Sequence, residues 1–165
     1  AIARELCSIF ESNGDAFFCL TRFLDIQNLT TSSAKTGKVI QSWGVSHRVR
    51  VLTELLQREE PQLHAFFAQQ QVNYEEQVKI WFRSYFAESI PSHKRTEVQE
   101  IWDRLLCAPA DYIVFVGISL LQHLKPRILA CTKPSQIVAL LKSPQPPNQI
   151  DRLFSFLGDR KMSAD

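Results

Sequence analysis

The residues that could do chemistry are few and scattered. Four histidines stand at 47, 64, 93 and 123, and four cysteines at 7, 19, 107 and 131. A structural zinc site draws its ligands in close pairs, because two ligands from one turn leave fewer chain segments to converge. No C-x-x-C occurs here, and no His pairs with another His or a Cys at ligand spacing, so no metal is expected. There is no G-x-S-x-G elbow to expose a nucleophile. Gly37-Lys38 has the end of a phosphate loop, but Ser32 stands where its first glycine belongs and Val39 where Ser or Thr would hold magnesium. The acidic pairs Glu59-Glu60 and Glu75-Glu76 are adjacent, and neighbours on a helix point apart. They suit helix starts, where carboxylates favour the dipole, rather than an acid–base dyad. Weak basic clusters, His47, Arg48 and Arg50 and then His93, Lys94 and Arg95, read as solvated faces. A net charge of +2 draws no polyanion, and nucleic acid would need more charge with exposed aromatics between. Catalytic residues, cofactors and metals are therefore all assigned as none.

Helices must position whatever this chain presents. Eleven Phe against five Gly in 165 residues, with mean hydropathy −0.13, describes one globular domain with a substantial core. Unpaired cysteines suit reduced thiols in the cytoplasm. The apolar run 112–121 is too short to span a bilayer, which takes ~20 residues. Ile2, Leu6, Ile9 and Phe10 make one helical stripe over 1–11. Asn13-Gly14 breaks it, and Asp15 starts a second helix with Phe17 and Leu20 inward. Residues 30–44 have no period and read as an exposed loop. Trp43 near its end either docks that loop or anchors a partner.

Ser46 is the expected N-cap of a third helix bearing Val49, Leu52, Leu55 and Leu56. Pro61 opens a fourth, with Leu63, Phe66 and Phe67 as its apolar stripe. Tyr74 to Ser89 reads as a fifth, ended by Ile90-Pro91, and Ser92 as the cap of a sixth. Asp111 caps a seventh, where Tyr112 to Leu121 leave no polar face. A helix apolar all round is buried all round. The β-branched residues at 112–116 would also suit a strand, but no partner strand is visible. Lys125-Pro126-Arg127 reads as a kink. Pro134 opens an eighth helix, Ser143 to Pro147 form a stiff linker, and a last helix carries Ile150, Leu153, Phe154 and Leu157 up to Gly158. The expected fold is all-α, a single helical array of eight or nine helices over 1–158, with 159–165 a frayed tail.

The stretch Trp81 to Leu106 carries a resemblance. An aromatic helix (Trp81-Phe82 to Phe86-Ala87), a break at Ile90-Pro91, an Ile101-Trp102-Asp103 core and the buried run Tyr112–Leu121 follow in the order of the C-terminal lobe of the TBC domain. That domain belongs to Rab GTPase-activating proteins. Asp15-Ala16-Phe17-Phe18-Cys19 resembles the family's acidic-Ala-Phe-Trp-Cys helix. The resemblance covers about 1–130.

In active members, an I-x-x-D-x-x-R arginine and a Y-x-Q glutamine stabilise phosphate charge and place the attacking water. Neither motif occurs here, and Asp103 follows Ile101 by two residues instead of three. Because the chain opens on Ala1 already in helical sequence, it is expected to be a piece of a longer protein. The resemblance implies a helical interaction module and non-catalytic regulatory subunit. Its partner would be a coiled-coil protein of the hamartin type, with no stable membrane insertion, in the cytoplasm or peripheral on endomembranes. The alternative it implies is part of an active Rab GTPase activator with catalytic residues upstream. Trp43, Phe66 and Phe67 are the candidate partner contacts, because a loop Trp and a doubled Phe exceed what one core stripe needs. Trp102 is expected in the core and Asp103 as an acceptor for a neighbouring helix.

Overall fold

The computed structural model describes residues 2–9, 12–26, 44–109, 111–147 and 150–154, and among these every regular element is helical. A hairpin of α1 (Ile2–Ile9) and α2 (Asn13–Ile26) precedes α3 (Val45–Glu59) and α4 (Pro61–Gln69). Then come α5 (Tyr74–Ser84), a 3₁₀ turn at Ser92–Lys94, α6 (Arg95–Cys107) and α7 (Tyr112–Leu129). Last are α8 (Pro134–Lys142) and the single turn α9 (Asp151–Phe154). Phe10, the loop 30–43, Leu157, Gly158 and the tail 159–165 lie outside the described residues.

The array is built around α7. Ile113, Val114, Val116, Ile118, Leu120, Leu121, Leu124 and Ile128 are all 2% exposed or less. They are surrounded because α3, α4, α5, α8 and α9 all pack on this one helix. Burial thus overrides the β-branched preference of 112–116. One position lets the neighbours close in. A methyl group at Gly117 would stand 2.8 Å from Leu52 Cδ1 and 3.0 Å from Phe82 Cε1, so the absent side chain sets how near α3 and α5 come to α7. The helix also runs through Pro126 to Leu129 instead of ending at it. Pro126 has no N–H to give the Gln122 carbonyl, so one intrahelical bond is lost there, and the packing of the helix carries it past the gap. Upstream, Gln122 Nε2 and Lys125 Nζ donate to Glu60 at 3.1 and 2.7 Å, tying α7 to the α3–α4 elbow.

Several boundaries differ from the sequence pattern for local reasons. Helix α2 starts at Asn13 rather than Asp15, because Ser12 Oγ accepts the N–H groups of Gly14 (3.2 Å) and Asp15 (3.4 Å). Helix α3 begins at Val45 after Gly44, so Ser46 is inside the first turn. Ser92 lies within the 3₁₀ turn, and α6 starts three residues later. Asp111 holds the N-cap position of α7, but its side chain makes no capping bond.

The largest change is in α5, which stops at Ser84. Tyr85 (φ 48°) and Phe86 (φ 68°) are both left-handed. The N–H of Phe86 closes onto Trp81 C=O at 2.9 Å, and the Trp81 and Phe86 rings meet at 6.1 Å. This is the six-to-one closure with its apolar contact that usually places Gly where Tyr85 stands. Ser143 to Pro147 is not a free linker either, since Pro144, Pro146 and Pro147 are buried.

Candidate functional site

The most unusual group in the interior is Arg48, on the α3 face turned toward α5 and α7. It is 2% exposed. Its Nη1 donates to the Tyr85 hydroxyl at 2.9 Å, and its Nε lies 3.6 Å from Asp111 Oδ1. The Asp111 side chain is half exposed. Tyr85 serves a second helix, because its main-chain carbonyl accepts Trp102 Nε1–H at 2.8 Å. The left-handed turn at Tyr85 therefore aims its hydroxyl at α3 and its carbonyl at α6. Burial pushes the Tyr85 phenol above its ordinary 10.0, with the Arg48 guanidinium pulling against it and Asp111 adding to it.

An arginine can stabilise phosphate charge, but this guanidinium is enclosed and spent on α5 and α7, so its chemistry is structural. The sequence pattern puts Arg48 on a solvated face, and burial corrects that. The sequence holds a signal, since Arg48, Leu52 and Leu56 follow each other at four-residue steps on the apolar stripe.

Two of the three candidate contacts, Phe66 and Phe67, fall among the described residues. Trp43 lies outside the described residues. Phe66 is partly buried against the core edge. Phe67 is 1% exposed and stacks on Tyr74 at 4.7 Å. A ring so enclosed cannot meet a partner, so Phe67 belongs to the core. Trp102, 3% exposed, is a core residue as its pattern implies. Asp103 is exposed and bonds no neighbouring helix among the described residues. Its neighbour Arg104 reaches Asp151 instead.

No group of His, Cys, Asp and Glu among the described residues could hold a metal ion. The four cysteines carry no disulfide. No described helix is long and apolar enough to cross a membrane. Among the described residues the large apolar groups that reach solvent most are Phe17 (67% exposed), Phe18 (66%) and Ile9 (43%) on the α1–α2 hairpin, with Leu106 on α6 less so. The period of α2 points Phe17 inward. The α2 face toward α1 is instead filled by Ala16, 2% exposed, which leaves both rings outside.

The sequence model of the Rab-GTPase-TBC domain matches residues 2–129. No curated protein matches the chain.

Proposed function

The chain belongs to the Rab-GTPase-TBC domain family, and from that premise we propose that it acts as a helical interaction module rather than as a catalyst. In this role it is a regulatory subunit for a coiled-coil protein of the hamartin type, placed like the TBC subunit of the tuberous sclerosis complex. It acts in the cytoplasm or at the surface of endomembranes, within a complex that controls small-GTPase signalling. The opening Ala1-Ile2-Ala3-Arg4, the Trp81-Phe82 to Phe86-Ala87 run and the Trp102–Leu106 block with the apolar helix after it resemble that subunit.

One observation carries the non-catalytic assignment. The landmarks that mark the family are packing residues here: Trp81, Phe82, Phe86 and Ile101 are fully enclosed and Trp102 nearly so. Arg48 and Arg104 are held by Asp111 and Asp151. The chain contains neither I-x-x-D-x-x-R nor Y-x-Q. Trp43 and Phe66 are the assigned partner contacts, and Phe67 is a core residue beside Phe66 on α4.

Two measurements test this. Phe66→Asp should lose binding to a hamartin-type coiled coil in calorimetry while keeping its helical circular dichroism. Undiminished binding would remove Phe66 from the interface. Single-turnover GTP hydrolysis by a panel of Rab proteins should be unchanged by the full-length protein. Acceleration would replace the module with the alternative, a Rab GTPase activator.

A further inference from the structure

Helix α9 is one turn long, too short to persist without a surface to dock on. It is nevertheless well seated. Ile150 and Leu153 are 3% and 1% exposed, and the turn packs on α7. Phe154 lies flat on Tyr112, with ring centroids 5.7 Å apart and planes 12° apart. The Tyr112 hydroxyl donates to the Phe154 carbonyl at 3.3 Å. From α6, the Arg104 guanidinium sits 5.0 Å over the Phe154 ring and also bonds the Asp151 carboxylate. The anchors fall at 150, 153 and 154, with the acid at 151. This is how an amphipathic helix fills a groove: apolar groups at i, i+3 and i+4 enter, and one charge fixes the register. The segment also lies beyond residue 129, where the family match ends.

We propose that the α7 face under α9, rimmed by Arg104 from α6, is a helix-binding groove, and that α9 is its resident occupant, a detachable latch. The partner that displaces it is an amphipathic helix of the same chemistry, with apolar residues at i, i+3 and i+4 and an acid at i+1. Arg104 and Tyr112 read that pattern, the first by charge and by its place over an aromatic face, the second by stacking. Tethering gives the latch a high effective concentration, so an outside helix competes only when the latch is weakened or the outside helix binds better. The groove is independent of whether the chain activates a GTPase.

The test uses a fluorescent peptide of residues 143–154 and the full chain. Phe154→Ala weakens the latch but leaves the groove intact. Its chain should bind the peptide at least roughly tenfold more tightly than the wild-type chain does. A peptide carrying Asp151→Lys should bind roughly threefold or more weakly than the native one, and equal binding would overturn the role of the acid. No peptide binding to a Phe154→Ala chain that keeps its circular dichroism and thermal transition would overturn the groove. Hydrogen exchange on the unaltered chain tests the latch in a second way. The Leu153 N–H, bonded to Ile150 C=O at 2.9 Å, should exchange at least roughly a hundredfold faster than the α7 amides, by local opening. Exchange at the α7 rate would mean that α9 leaves only on global unfolding, and the latch would be refuted. Neither experiment contains a GTPase or a coiled-coil partner, so failure here leaves the proposed module untouched.

Discussion

Tyr85→Phe removes one oxygen atom and nothing else. The ring, its burial and the left-handed backbone all stay, so the change isolates the bond from Arg48 to the hydroxyl. A hydrogen bond to a charged donor contributes about 1.5–3 kcal/mol when one partner is deleted. Arg48 is 2% exposed and cannot turn to bulk water, which argues for the middle of that range. Asp111, 3.6 Å from Nε, argues against the top of it. The expected loss is about 2 kcal/mol, or ~4–8 °C in thermal midpoint for a chain of this size. Arg48→Met should cost less, because it removes the charge that needed a partner, and the half-exposed Asp111 side chain can turn its carboxylate to water. The double variant should be no less stable than Tyr85→Phe alone, giving a coupling of about 1–2 kcal/mol. Urea unfolding followed by tryptophan fluorescence measures all four corners of the cycle. If Tyr85→Phe falls within about 0.5 kcal/mol of the parent and the two changes add, Arg48 does not depend on Tyr85 and the buried node is not a unit.

Gly117→Ala should gain up to ~1 kcal/mol in helix propensity and lose ~1–3 kcal/mol to overpacking against Leu52 and Phe82. A net loss of about 1 kcal/mol in chemical denaturation is expected, and a net gain would show that α3 and α5 can retreat. Alkaline titration should find two late phenols. Burial raises both Tyr74 and Tyr85 above 10.0. The unfolded chain therefore ionises first, and the stability they supply is whole below pH 10 and is lost as pH rises through the folded values. Their phenolate absorbance should appear together with loss of helix, and its appearance in a still-folded chain would contradict the burial. On the acid side, burial pushes the Glu97 carboxyl up, but the hydrogen bond from Lys94 and its charge outweigh this and hold it below 4.5. Its contribution is present above pH 4.5 and fades as pH falls through the lower folded value. Glu97→Gln should flatten that part of the stability–pH curve, and an unchanged slope would remove the pair from the balance.

The helices are legible in the sequence where one physical rule acts alone. An apolar run without a polar face can only be a central helix, and α7 is that. Proline at the first turn announces α4 and α8, and Gln136 completes the second start by accepting the N–H groups of Thr132 and Lys133. Prediction fails where a distant partner decides. Helix α5 ends at Tyr85 because Arg48 and Trp102 hold that residue, and they lie 37 and 17 positions away. Arg48 reads as solvated because residue type suggests exposure, while its enclosing groups come from two other helices. Phe17 reads as buried because a period marks a stripe without saying which neighbour will fill it. Of the candidate contacts, Phe66 and Phe67 are adjacent on α4, and one helical step separates a core ring from a partly buried one.

Trp81 donates its indole N–H to the main-chain carbonyl of Leu141, at 3.0 Å, just as Trp102 donates to that of Tyr85. A carbonyl is supplied by every amino acid, so the acceptor side of such a bond writes nothing into the sequence beyond the need to fit the core. The donor must be an aromatic N–H, while the receiving helix can drift through any apolar spelling that keeps its backbone in place. Kinship between chains is thus recorded on one partner only. A likeness that fades at residue 129 while Ile137 and Leu141 remain at 0% exposure is what that asymmetry permits. Recognisable ancestry and the cooperative folding unit need not share an end.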